Sequence, residues 1–161
     1  MKLSSNEEYG LRCLLRLADE GPGGSLTLPE MSQAEGVSEA YAAKIMRILR
    51  RGGFVKSARG KIGGYTLARP AHEIIIGDVI AELGGRFFEN DFCERHTGSM
   101  EICTHNSVDC SLRSLWKTIQ LSLDQVLGKI TLQDLMRDPR QMTVLVTELA
   151  GSGASMPLKR T

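Results

Sequence analysis

Gly36-Val37-Ser38 leads into a run of helical period, Glu39-Ala40-Tyr41-Ala42-Ala43-Lys44-Ile45-Met46-Arg47-Ile48-Leu49-Arg50-Arg51, which stops at Gly52-Gly53. Two β-like runs follow, Phe54-Val55-Lys56-Ser57-Ala58 and Gly64-Tyr65-Thr66-Leu67-Ala68, separated by Arg59-Gly60-Lys61-Ile62-Gly63. Tyr41, Ile45, Ile48, Leu49 and Gly52 recur at helical spacing and form one apolar face. Ala40, Ala43, Lys44, Arg47 and Arg51 fall on the opposite face. Two helices joined by a glycine turn, the second longer and basic outside, make a helix-turn-helix, and the hairpin behind it is then a wing. From Ser38 to Pro70 eight Lys/Arg stand against one acid, Glu39, a local charge of +7; the whole chain is +1, which leaves −6 for the rest. A basic module in an otherwise acidic chain is the footprint of a phosphate-backbone binder. A surface helix with merely solvated lysines would explain the helix but not the basic hairpin directly behind it.

Upstream, Ser5 with Glu8 three residues later has the form of a capping box. It opens a helix to about Glu20 that is apolar on more than one face (Tyr9, Leu11, Cys13, Leu14, Leu15, Leu17, Ala18) and must be covered from several sides. Thr27-Leu28-Pro29-Glu30 repeats the pattern, with Pro in the first turn where no donor is needed. The short helix it starts runs to Glu35, Gly36 makes the turn, and Ser38 caps the basic helix. Downstream, Ile74 to Ile76 is predicted extended, followed by a helix on Ile76, Val79, Ile80 and Leu83 that Gly84-Gly85 ends. Apolar periodicity then vanishes from Arg86 to Asp109, far longer than an ordinary connection. Asp109 caps a long helix with Leu112, Leu115, Trp116, Ile119, Leu123, Val126 and Leu127 on one stripe. One winged domain cannot cover such a stripe, so it is predicted to be a dimer helix. Thr131-Leu132-Gln133-Asp134 starts a short helix that Asp138-Pro139 stops; Met142, Leu145 and Leu149 mark another, and Gly151 to Thr161 is a loose tail.

The fold class that follows is mainly α with a small β-hairpin: a winged helix-turn-helix plus a long C-terminal dimerisation helix. The organisation expected is a DNA-binding domain over residues 1–84 and a cysteine-containing loop over 85–110. The dimerisation and C-terminal helices then span 111–150, with a flexible tail over 151–161. A chain of 161 residues, 42% hydrophobic and 24% charged, suits one domain with an accessory element. No run reaches the length of a membrane span, and Arg12 and Arg16 interrupt the apolar N-terminal stretch, arguing against a span and a signal peptide. The expected location is the cytoplasm, with no membrane partner. No nucleophile elbow, phosphate loop or paired-histidine zinc motif is present, and His72 has no acid/base partner, so an enzyme is not expected.

Cys93, Cys103 and Cys110 lie within eighteen residues, with nine and then six between them. Cys110 follows the cap of the long helix, where a thiolate is favoured by the helix N-terminus. Three thiolates from one loop can fill three positions of a metal or iron–sulfur centre. Cys13, on an apolar helix, is core packing. Three readings are open on these residues: an iron–sulfur regulator, a regulator whose reduced thiols sense oxidants directly, and a zinc-stabilised interaction module using Cys93, His96, Cys103, His105 and Cys110.

A winged helix with Arg59-Gly60-Lys61-Ile62-Gly63-Gly64-Tyr65, a loop with three cysteines and a long helix after the third resembles a known family. These are the winged-helix iron–sulfur transcriptional regulators that include the cluster-biogenesis regulator IscR and the nitric-oxide-sensing repressor NsrR. The likeness covers Met1 to about Met136, through Met1-Lys2-Leu3-Ser4, the glycine-rich wing, Ile76-Gly77-Asp78-Val79 and Thr131-Leu132-Gln133-Asp134-Leu135. It implies a homodimeric transcription factor whose cluster state sets its affinity for double-stranded operator DNA. Two features depart from the family. The nine-residue first gap is long, which leaves a 2Fe–2S or a 4Fe–4S cluster open, and Arg113 stands where IscR-like members have a histidine ligand. The NsrR-like branch uses a carboxylate from the first helix of the opposite subunit, and the alignment of Met1 to Ser4 puts Glu8 there. The resemblance thus implies Cys93, Cys103, Cys110 and Glu8 as ligands. His96 and His105 are rivals for the fourth place, and Glu8 has the alternative of closing back on Ser5. The DNA-binding candidates are Ser38, Tyr41, Lys44 and Arg47 on the basic helix and Arg59, Lys61 and Gly63 on the wing.

Overall fold

Helix α1 (Ser5–Asp19) starts at a reciprocal cap made by Ser4 and Glu7. The Glu7 backbone donates to Ser4 Oγ, and the Ser4 N–H donates to Glu7 Oε2 at 2.6 Å. The box therefore sits one residue earlier than the Ser5/Glu8 pair read from the sequence. Glu7 is also the residue that lies against Gly84, so a tertiary contact selects between two equivalent Ser-x-x-Glu registers. The computed structural model describes residues 4–58, 63–89 and 111–151.

Thr27 and Glu30 cap α2 (Leu28–Glu35) as the sequence predicts, with Pro29 in the first turn. Gly36 ends it at φ +65°, a left-handed conformation that glycine adopts without the Cβ penalty. Ser38 accepts from the Tyr41 N–H at 3.2 Å and caps α3 (Glu39–Arg51). After Gly52-Gly53 the wing is an antiparallel pair, β1 (Val55–Ser57) and β2 (Tyr65–Leu67), in the register Val55↔Leu67, Lys56↔Thr66, Ser57↔Tyr65. Leu26 adds a bridge on the other side of Tyr65, with N–H···O distances of 3.0 and 2.8 Å. Gly64, at φ +122°, leaves no room for a side chain there: a Cβ would stand 2.8 Å from the Leu26 carbonyl oxygen.

A 3-10 turn (Ala71–Glu73) and extended Ile74 and Ile75 lead into α4 (Ile76–Gly84). Helix α5 (Ser111–Leu127) is followed by Ile130, whose carbonyl accepts from the Ile76 N–H at 2.9 Å. Thr131 and Asp134 cap the short α6 (Leu132–Leu135), and α7 (Pro139–Gly151) packs back on α5. The core gathers Cys13, Leu14 and Leu17 of α1, Met31, Ile45, Met46 and Leu49 of the helix-turn-helix, Phe54 and Val55 of the wing root, and Val79 and Leu83 of α4. Ile130 and Leu132 are buried in the same cluster, so the chain beyond α5 returns to complete it. Each such aliphatic side chain contributes about 1.5–3 kcal/mol by leaving water. The result is a mainly helical winged-helix fold with one small hairpin. No helix among the described residues is long and apolar enough to cross a membrane.

Candidate nucleic-acid interface

Helix α3 buries Ala42, Ile45, Met46 and Leu49 completely, which turns Ala40, Lys44 and Arg47 outward. Ala43 is half-buried beside them. The other two cations of the helix are engaged: Arg51 Nε donates to Glu82 Oε1 of α4 at 2.7 Å, and Arg50 Nη1 reaches Ser57 Oγ at 3.4 Å. Arg51, which periodicity alone assigns to the outer face, is thus a tie between α3 and α4. Among the described residues Arg47 has no ion-pair partner, and Lys44 rests only over the Tyr41 ring, 5.9 Å from its centroid. Two cations projecting from the middle of the second helix of a helix-turn-helix are placed to meet base edges or phosphates. Ser38 is exposed at the N-terminus of that helix. Gly63, at φ +68°, shapes the return of the wing; Arg59 and Lys61 lie outside the described residues.

Tyr41 is half-buried rather than free, and its contacts lead away from α3. Its hydroxyl donates to Asn6 Oδ1 at 3.1 Å, and its ring meets Tyr9 edge to face at 5.9 Å. Arg12 lies over the Tyr9 ring, 5.6 Å from its centroid, and is held at 2.6 Å by Glu8. The Glu8 carboxylate raises the Arg12 pKa through that hydrogen bond and its charge. A continuous line of contacts therefore runs Glu8, Arg12, Tyr9, Tyr41, Lys44, from the start of α1 to the outer face of α3. Sequence reasoning named Glu8, Tyr41 and Lys44 but not the contacts that join them, because Tyr9 and Tyr41 are brought together only by the crossing of α1 and α3.

Glu8 itself is exposed and takes no part in the cap, so the alternative of closing back on Ser5 does not occur. Cys13 is fully buried, as read from the sequence. Burial, reinforced by the nearby negative charge of Glu35, pushes its thiol up to about 12, so it stays protonated and inert. Cys93, Cys103, Cys110, His96 and His105 lie outside the described residues. The chain on either side of them is anchored. Gln120, buried in α5, accepts from the Phe88 N–H at 2.9 Å and donates to Asp124 Oδ1 at 2.8 Å. Asp124 also pairs with Arg86, and Phe87 meets Trp116 edge to face at 5.6 Å. No periodic signal marks Gln120; a buried amide is recognisable only once its partners are known.

The apolar stripe expected on α5 divides in two. Val126 and Leu127 pack on the core, whereas Leu112 and Leu115 are 60% and 49% exposed. Trp116 belongs to neither group, being half-buried against Phe87.

The model of the Rrf2 family, described as iron-dependent transcriptional regulators, matches residues 3–138. The protein rrf2 of Nitratidesulfovibrio vulgaris is 33% identical over 138 residues, 86% of this chain and 89% of that one. Among solved structures, CymR, the global cysteine regulator of B. subtilis, superposes with a TM-score of 0.66 at 31% identity, covering 86% of this chain and 99% of that one. IscR of T. potens gives 0.64 at 31% identity, covering 84% and 86%. The winged helix, its outward cations and this likeness along most of the chain lead to one conclusion: the protein is a DNA-binding transcriptional regulator, not an enzyme, and belongs to the Rrf2 family.

Proposed function

We propose that the chain is a homodimeric, cytoplasmic regulator whose affinity for operator DNA is set by an iron–sulfur cluster sensing redox state, nitric oxide or iron supply. The observation that carries this reading is the placement of Cys93, Cys103 and Cys110 directly before α5, in a family described as iron-dependent. The donor set fits such a group. Three cysteines remain once Cys13 is assigned to the core, and Glu8 offers an exposed carboxylate outside any cap. Cys93, Cys103, Cys110 and Glu8 would hold the cluster, with His96 and His105 the competitors for the fourth place. When bound, it supplies iron whose oxygen-ligated position is open to exchange, because a hard ligand is a weak partner for cluster iron. Engaging Glu8 elsewhere deprives Arg12 of its counter-charge. Arg12 is the cation over Tyr9, and Tyr9 abuts Tyr41, so drawing Glu8 away from Arg12 would bias the position of Lys44 and the reading face of α3.

The exposed Leu112 and Leu115 supply the dimer contact in this reading. Two-fold symmetry then sets two α3 helices about 34 Å apart, or a multiple of it, on a pseudo-palindromic operator. A second reading, direct sensing by the thiols without a cluster, draws on the likeness to a global cysteine regulator. Anaerobic reconstitution separates them. The cluster reading predicts visible absorption with iron and sulfide, lost in Cys93→Ala, Cys103→Ala and Cys110→Ala and altered in Glu8→Ala. A colourless protein without iron or sulfide that still answers oxidants at its operator would overturn it. If Glu8→Ala keeps the native circular dichroism and cluster lifetime while His96→Ala or His105→Ala loses them, the carboxylate is not the fourth ligand.

A further inference from the structure

A cavity of about 490 Å³ opens between the C-terminal end of α1, the root of the wing and α6. Its size is that of a small-molecule site, for which about 300–1,000 Å³ is usual. Ala18, Pro22, Leu67 and Met136 give it apolar walls, and its charged lining is of one sign, Lys56 and Arg69. Among the described residues no carboxylate lines it. The Arg69 guanidinium lies over the Phe54 ring, 5.4 Å from the centroid, and its Nε is buried with no hydrogen-bond partner among the described residues. A buried donor left without an acceptor is a standing cost, larger for a charged group.

We infer that this cavity is an effector site for a small organic carboxylate with an apolar body, held through Arg69 and Lys56. A carboxylate binds arginine best through Nε and one Nη together. Turning the guanidinium from Phe54 toward the cavity presents that pair, and the unsatisfied Nε makes the turn less costly. The apolar walls favour a hydrocarbon body over a phosphate ester, whose remaining oxygens would find few donors there. Lys56 and Leu67 come from the wing, whereas Ala18 and Met136 come from the body of the domain. An occupant bridging them fixes the wing against the body and so alters operator binding. This site is independent of the cysteines and of the cluster reading.

The test titrates hexanoate and benzoate, with hexanamide and benzamide as neutral counterparts, into the full chain, observed by amide NMR. Saturable shifts are expected at Lys56, from Thr66 to Ala71 and from Gln133 to Met136. Millimolar dissociation constants are ample for such fragments, with the amides weaker by about tenfold or more. Arg69→Gln should abolish the carboxylate response with the rest of the spectrum retained; should it unfold, Lys56→Gln on the exposed hairpin should weaken the response by itself. The inference is overturned if neither acid gives saturable shifts at these residues, or if the amides bind as well. It is equally overturned if Arg69→Gln and Lys56→Gln lower the salt slope of DNA binding without affecting any carboxylate response, which assigns both cations to the DNA phosphates.

Discussion

Helices α3 and α5 both carry apolar stripes, yet α3 buries Ala42, Ile45, Met46 and Leu49 completely while α5 leaves Leu112 and Leu115 60% and 49% exposed. The first stripe is satisfied within one chain, by α1, α2, α4 and the wing root. Among the described residues the second meets the core toward its C-terminal end, through Val126 and Leu127. The difference separates two tasks. A helix whose apolar face is filled by its own domain presents a rigid polar face to another molecule. A helix whose apolar face is unfilled presents that face itself.

Breaking α3 from within should produce the largest effect. Leu49→Ala deletes a fully buried side chain and should cost about 2–5 kcal/mol of unfolding free energy in a denaturant titration. Leu115→Asp should leave the unfolding of the core nearly unchanged at fixed low concentration and instead shift sedimentation toward the monomer. If Leu115→Asp costs as much stability as Leu49→Ala and the association state stays put, the contrast between the helices collapses. Next in size, Lys44→Ala and Arg47→Ala should each weaken operator binding by about 1–3 kcal/mol if the side chain reads a base, without moving the melting temperature. Unchanged binding by both across salt concentrations would take α3 out of the interface.

The smallest effect sharpens the comparison at the point where the chain after α5 rejoins the core. Thr131→Ala removes the cap of α6 and should cost about 1 kcal/mol. The hydrogen bond from the Thr131 hydroxyl, with help from its backbone N–H and Arg137, holds the Asp134 carboxyl below its ordinary value. A carboxylate depressed in the folded state contributes stability that is complete above its unfolded pKa and lost as the pH falls through the folded one. The native protein should therefore lose this contribution in acid, and Thr131→Ala should flatten that part of the pH–stability curve. An unaltered curve would mean that the cap does not govern Asp134.

The sequence made the α3 core face legible because helical spacing alone requires it, although the buried face takes in Ala42 and Met46 while Ile48 is only half-buried at its margin. Ala42 is too small and Met46 too adaptable to stand out in a periodic pattern. The α1 cap was misplaced by one residue because Ser4-Ser5-Asn6-Glu7-Glu8 contains the same motif twice, and only the approach of Gly84 distinguishes the two. Lys44 and Arg47 were legible as outward cations from the helical wheel, whereas the engagement of Arg51 with Glu82 needed a partner 31 residues away. A similar separation in sequence hid the Tyr9–Tyr41 contact and the role of Gln120. Local periodicity reports which side of a helix is inside; it carries no record of which other helix supplies the neighbour.

In the proposed function the state of the cysteine centre is felt at α3. This coupling is tested most directly by anaerobic binding of one protein preparation, cluster-loaded and cluster-stripped, to a palindromic operator selected from randomised duplex DNA. The account predicts dissociation constants that differ by about 5–150-fold, the usual range of coupling between linked sites. It also predicts a difference much reduced in Tyr9→Leu, which interrupts the contacts between Arg12 and Tyr41. Equal affinities for the loaded and stripped protein would contradict it.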